Sequence, residues 1–499
     1  MATAVEATAG ETGRVDDAGA TTSADGVARR AWPPTIAGVV GLAVAVWGLV
    51  IGLRPLDDNS FFTHLATGRL ILDQGIPHAD PYSYTVPGQA WVVQSWLASV
   101  VYAVAERLGG GGALRLLMGL LCLALGACVW RLTRPATTLL PRVAIAGVAM
   151  GVATDLWTER PLLFGLLLLA VLLLQAEEGA DPRWAVPLMW IWVNVHGSFP
   201  LGLVAVGLLA LGRRLDGDSP RVELRLLGWA SLGTVLGVVG PLGLHALTFP
   251  VELLSRQQVL HHITEWQSPT FDTYGQRLFL VQLVAAVVLV VRRPSYRVAL
   301  PLAVFTAAAL LGLRNVPVAS VVLLPGMAAG AAGLGSIDGA RRSMANAIGA
   351  AALVALAVLV TASQLGRSDV QLETYPVDAV AWLDDQGLLG PDTHLVSRDY
   401  VGNYLELEDR YDQPVFIDDR YDMYPAALTE DYVRLVRSLD PGPVLGRYDT
   451  DVVVWERATP LGAWLEADQG WGVVYRDDDW LVACPSAEPG GAGRCAPGA

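Results

Sequence analysis

Apolar stretches recur from position 35 to position 363, most of them close to the roughly 20 residues a helix needs to cross a bilayer, and short polar turns separate them. They cover 35–53, 111–130, 139–157, 161–176, 184–195, 199–212, 225–247, 275–291, 299–313, 316–335 and 344–363. This pattern predicts a polytopic α-helical membrane protein with about eleven spans, the shorter ones tilted or re-entrant. The rhythm fails once, in a polar interval over 54–110 between the first two spans. Inside it, 60–72 spaces Phe61, Leu65 and Ile71 or Leu72 at near-helical intervals, and 91–108 repeats Trp, Leu, Val and Tyr similarly. Both predict amphipathic helices lying in the interface. Pro77, Pro81, Pro87 and Gly88 make the piece between them a folded loop.

Past Thr361 the pattern changes. Short β-branched or aromatic runs at 393–397, 415–418, 451–455, 472–475 and 480–483 alternate with helical patterns at 377–385, 430–439 and 461–466. They predict a small α/β domain over 366–484. The two ends, 1–33 and 485–499, have little to bury and predict a disordered leader and a flexible tail.

The arginines set the orientation. Arg131, Arg134, Arg142, Arg213, Arg214, Arg292, Arg293, Arg341 and Arg342 all fall in turns assigned to one side, which the positive-inside rule makes cytoplasmic. A multi-pass plasma-membrane protein follows, with its N-terminus inside and its α/β domain outside. All seven histidines then land on the outer side or at outer span ends.

Composition agrees with a membrane protein: 53% hydrophobic residues, 16% charged and a mean hydropathy of +0.43 are too apolar for a soluble chain. The net charge of −14 is concentrated at one end. From Arg367 onward 26 acids face 10 arginines, leaving −16 there and +2 on the rest. No nucleic-acid partner is expected of such a distribution. Cys122 and Cys128 sit in an apolar helix as small hydrophobes, whereas Cys484 and Cys495 suit a disulfide if the tail lies outside the cytoplasm.

Several groups have the chemistry of a site. Asp57 and Asp58 follow the first span, where partial burial and a like-charged neighbour favour a general base or a metal ligand; marking the water boundary of a helix end is the alternative. In W-V-N-V-H-G-S-F, Asn194 and His196 stand at a span end, suited to an anionic headgroup or to a tight interhelical turn. Arg160 and Arg314 sit just beyond outer span ends, as phosphate ligands or as snorkelling cations. His261, His262 and Glu265 put three metal-ligand types within five residues, so a divalent metal is one reading and a polar loop lining a cavity the other. In F-I-D-D-R-Y-D-M-Y-P, Asp418, Asp419, Arg420 and Asp422 follow a predicted strand, as a binding site or as an ion-pair network fixing the domain.

Together, H-L-A-T-G-R-L-I-L-x-x-G-I-P-x-x-D-P-Y-S-Y-T and W-x-x-x-x-W-L in the first outer loop, then W-x-N-x-H-G-S-F-x-L-G, E-W-Q-S-P, L-R-N-V-P and D-D-R-Y-D-M-Y-P, resemble bacterial membrane glycosyltransferase-like proteins of the GT-C fold. The resemblance implies transfer of a sugar from a polyprenyl-phosphate donor to a cell-envelope glycan or protein acceptor at the outer face. It places the catalytic carboxylate on Asp58, with Asp57 as its close alternative. Asp80 is then a second loop carboxylate, and His64, Arg160, Asn194, His196, Glu265 and Arg314 surround the donor phosphate. Relatives often carry an acid two positions after the first; here it is Ser60. No cofactor is implied beyond a divalent metal. The rival expectation is a non-catalytic protein that binds or transports a glycolipid or scaffolds envelope assembly. A transporter is expected to show internal repeats and midplane charges, and neither is visible.

Overall fold

A computed structural model describes residues 32–261, 263–366, 370–408, 412–468 and 470–486. The expected disordered leader falls almost wholly outside them, as do His262, Cys495 and most of the tail. The chain is mostly helical with one small C-terminal sheet. Among the described residues, five helices are long and apolar enough to cross a membrane: 96–136, 139–156, 274–292, 313–330 and 344–365. Two apolar helices, Ile36–Gly52 and Tyr296–Leu311, are shorter.

The other expected spans also form helices, Leu162–Glu178, Ala185–Val195, Pro200–Leu215 and Arg221–Leu236, the first three close to their expected bounds. The 225–247 stretch is the clearest departure: its helix closes at Leu236, and a turn precedes a second helix, His245–Ser255. Gly237, Gly240, Pro241 and Gly243 crowd this turn, and Gly243 takes a positive φ of 55° just before the second helix.

The first helix, α1 (Ile36–Gly52), starts at Thr35, whose hydroxyl accepts from the Gly38 amide at 3.1 Å. It lies against α3 (Trp96–Leu132) at backbone contact: a Cβ on Gly48 would stand 2.2 Å from the Cys122 carbonyl oxygen. Helix α3 is broken at Gly109 and Gly110, the latter at φ 60°. The break separates the amphipathic piece expected over 91–108 from the span expected at 111–130.

Between them, α2 (Asn59–Gln74) begins at Asp58 and buries Phe61, Phe62 and Leu65. Helix α4 (Leu139–Leu156) and helix α5 (Leu162–Glu178) follow, joined by a turn that carries Glu159 and Arg160.

The α/β domain holds a four-stranded sheet in the order β1 (Leu395–Val396), β2 (Val452–Glu456), β4 (Trp480–Pro485), β3 (Trp471–Arg476). The β1–β2 pair is parallel and the other two are antiparallel. The run at 415–418, expected as a strand of this sheet, stands apart from it. Its Val415 instead exchanges backbone hydrogen bonds with the first outer loop, to Tyr82 O at 3.0 Å and from Tyr84 N at 3.2 Å. The loop therefore belongs to the domain's architecture, and Trp91 and Val93 of the loop join Phe416, Ile417 and Trp455 in one buried core. Two helices of the domain matter below, α6 (Asp399–Leu407), which packs on α2, and α7 (Ala426–Val436). Cys484 is disulfide-bonded.

Candidate functional site

The N-terminal turn of α2 faces a cavity of about 590 Å³ lined by turns at one end of the helical bundle on one side and by the α/β domain on the other. Asp58 caps this helix, its Oδ1 accepting from the Ser60 amide at 3.1 Å. Its Oδ2 accepts from Arg160 Nε at 2.6 Å, and the same guanidinium pairs through Nη1 with Glu265. Arg160 thus lies between two carboxylates contributed by distant turns. Asp58 itself is buried behind Arg160 and is not part of the cavity wall.

Glu265 belongs to a short turn, Thr264–Trp266, that is tied to the turn Leu313–Asn315 by a hydrogen bond from Leu313 N to Gln267 O at 2.8 Å. That tie places Arg314 over the Trp266 ring, 4.2 Å from its centroid. Arg314 lines the cavity, yet no carboxylate pairs with it among the described residues. An arginine guanidinium remains a cation at neutral pH.

Two histidines complete this wall. His64 shares a 3.1 Å hydrogen bond with Ser99 Oγ, and His196 Nδ1 accepts from the Ser198 amide at 3.1 Å. Burial, followed by the nearby Arg160, lowers His64 to about 4 despite Asp58, and burial with Arg314 lowers His196 to about 3. Both are neutral at pH 7. They offer ring nitrogens for hydrogen bonding and add no charge.

The opposite wall comes from the α/β domain. Asp419 stands there with both carboxylate oxygens accepting from Asn59 Nδ2, at 3.0 and 3.1 Å. Burial raises it to about 7; Asp399 and Asp58 add to the rise and Arg160 opposes it. Asp399 accepts from Tyr421 OH at 2.8 Å and from Tyr432 OH at 2.7 Å.

Of the residues singled out in the sequence, His64, Arg160, His196, Glu265 and Arg314 therefore meet in one cavity, with Asp419, Arg420 and Asp422 on its domain side. Others lie elsewhere. Asp57 is exposed outside it. Asp80 is buried, holding the backbone amides of Tyr82 and Ser83 at 3.1 Å each and pairing with Arg420 at 2.7 Å, so its carboxylate joins loop to domain. Asn194 accepts from Trp96 Nε1 at 2.9 Å and donates to Trp190 O at 2.8 Å, bracing the bundle below the cavity. His261 is exposed at the rim. No cluster of three metal-type ligands occurs among the described residues, and Glu265 is committed to Arg160. Sequence reasoning did not single out Asn59, Asp399 and Tyr432, which carry no local motif, nor Tyr421, which stands inside D-D-R-Y-D-M-Y-P with no role assigned to it. Asp419 was visible only as one member of an acidic cluster.

No protein family model matches the chain, and no curated protein matches it.

Proposed function

We propose that the protein is an integral membrane glycosyltransferase of the GT-C type that moves a sugar from a polyprenyl-phosphate donor to a cell-envelope glycan or protein acceptor at the outer face. In this reading the shorter helices are also spans, giving about eleven. The N-terminus is then cytoplasmic and the α/β domain outside. Arg314 carries the reading: a half-buried cation without a carboxylate partner among the described residues, braced on Trp266 and facing a roomy cavity, is built for an anion. A phosphate at headgroup depth supplies that anion, and Phe249, Leu253 and Ile263 along the same cavity suit the first carbons of a lipid chain. The disulfide at Cys484 supports an oxidising side for the domain.

Two measurements test this. Full-length protein in lipid nanodiscs is expected to bind undecaprenyl phosphate, and Arg314→Gln is expected to weaken binding by about 10- to 100-fold, the usual worth of a charge-assisted contact. Equal affinity of both proteins would remove the phosphate site. For orientation, a reporter active only in the cytoplasm, fused after Gly366, is expected to stay silent, and activity there would reverse the assigned sides.

A non-catalytic glycolipid holder is the second reading. It is favoured by one observation, that both oxygens of Asp58 are already engaged by Arg160 and the Ser60 amide.

A further inference from the structure

We infer that the acceptor hydroxyl is activated by Asp419 of the α/β domain, across the cavity from Arg314, and that Asp58 is a positioning residue that aims Arg160. This rests on the glycosyltransferase reading above.

The two carboxylates differ in the charge of the group that holds them and in whether they reach the cavity. Asp58 gives Oδ2 to a guanidinium at 2.6 Å and Oδ1 to the helix-capping amide, and it stands outside the cavity wall. A base must reach the proton it removes and have a lone pair free to take it. Asp419 lines the cavity, and its hydrogen-bonded neighbour there is a neutral amide, Asn59, whose single nitrogen spans both oxygens. Each oxygen of a carboxylate has two lone-pair sites, so capacity remains on the cavity side. The groups bearing on it are Asp399 and Asp58, which favour its protonated form, and Arg160, which opposes them. Asp399 is itself held by two tyrosine hydroxyls.

The step balances as follows. The acceptor oxygen forms a bond to the anomeric carbon of the donor while its proton passes to an Asp419 oxygen. The bond from the anomeric carbon to the phosphate oxygen breaks, and its electron pair leaves with polyprenyl phosphate. Arg314 meets the charge that gathers on the leaving phosphate. Asp419 later returns its proton to solvent.

The structure also explains why the site needs two domains. Asn59 sits one residue after Asp58 at the start of α2, so one helix terminus holds Arg160 through Asp58 and the base through Asn59. Cation and base are thereby set from one rigid point.

The test uses full-length protein in nanodiscs, undecaprenyl phosphate as the binding probe, and a panel of radiolabelled polyprenyl-phosphate sugars for transfer. Asp419→Asn is expected to bind undecaprenyl phosphate within about twofold of wild type while transfer falls by about 100-fold or more. Wild-type kcat/KM is expected to decline on the acid side of about pH 7, and Asp58→Asn keeps that limb because its carboxylate is not the base. If Asp419→Asn does not fold, Asn59→Ala takes its place. Loss of the amide donor disfavours the carboxylate form, so the acid limb moves to higher pH; a limb that stays put overturns the inference.

Transfer by Asp419→Asn at the wild-type rate, or loss of the limb in Asp58→Asn alone, overturns the inference and leaves the glycosyltransferase reading standing. Wild-type protein that binds the lipid phosphate without transferring any sugar of the panel makes the holder reading correct and overturns the inference with it. Failure to bind undecaprenyl phosphate removes the reading on which both depend.

Discussion

Arg420→Met is expected to cost about 3–5 kcal/mol of stability, the usual result of stranding one side of a buried ion pair. Arg420 is almost wholly buried. Its Nε and Nη2 donate to Asp418 Oδ1 and Oδ2 at 2.9 and 2.6 Å, and its Nη1 stands 2.7 Å from Asp80 Oδ1. The guanidinium lies over Tyr82 at 4.8 Å and over Trp91 at 4.5 Å, so the cation is both paired and stacked. Methionine keeps much of the packing against those rings. It leaves two buried carboxylates with no counter-charge, and the neighbouring Glu406, whose pKa burial and Asp418 raise well above the usual carboxylate range, is no cation to replace it.

The place of failure is also predictable. Asp80 belongs to the first outer loop and Asp418 to the α/β domain, so the substitution should loosen their junction first. Limited proteolysis in the 76–90 loop should speed up before global melting shifts. Arg420→Lys should recover little, because an ammonium cannot bridge both carboxylates with a planar fork. Adding Asp80→Asn and Asp418→Asn to Arg420→Met should restore part of the loss, since the stranded charges are then gone. A loss below about 1 kcal/mol in the single variant would mean that water replaces the guanidinium and that the pair is not buried in practice.

How much of this was legible in the sequence depends on the range of the forces involved. The α2 helix and the amphipathic start of α3 follow from a 3.6-residue period, a local property, and the four glycines after Leu108 mark the break in α3. Four of the five expected strand runs join the sheet, because β-branched runs bounded by turns also announce themselves locally. The run at 415–418 does not. Nothing near it says that its backbone partner is the loop at 82–85, contributed from the far end of the chain. The end of the 225–247 run was misplaced for a related reason: run length measures apolarity, while helix length is set by where glycine and proline interrupt it, as at 237–243.

The cavity residues show the same division. His64, Arg160, His196, Glu265 and Arg314 are titratable groups at the outer ends of apolar stretches, and helices of one bundle bring such ends to a common mouth. Asp80 looked equivalent by that rule. Its proximity to Arg420, which draws it into an ion pair, is a tertiary fact without a local signal.

Glu159 sets the second large expected effect, a loss of stability as pH rises. Its side chain is buried behind Arg54, Asp57 and Asp58, with Oε2 lacking a hydrogen-bond partner, and burial first, then those two aspartates, raises its pKa to about 8. The unfolded chain ionises this group near 4.5. Between those values the folded state holds a proton that the unfolded state has released, so stability falls by about 1.4 kcal/mol per pH unit for this group. It is fully present below pH 4.5 and gone above about 8.

The buried histidines act in the opposite sense. His64 and His196 stay neutral when folded down to about 4 and 3, whereas the unfolded chain protonates them near 6.5, so their contribution is lost on acidification below 6.5. Above pH 6.5 they are silent, which leaves 6.5 to 8 as the clean window. Asp419 still adds a share up to about 7, and it and Glu406 act equally in wild type and variant, so both drop out of the difference. Glu159→Gln is therefore expected to lose about 1–2 kcal/mol less stability than wild type between pH 6.5 and 8. Denaturation in detergent across that window reads the difference in slope. Parallel slopes would mean that Glu159 is already ionised at pH 6.5, with water reaching a carboxylate that the fold encloses.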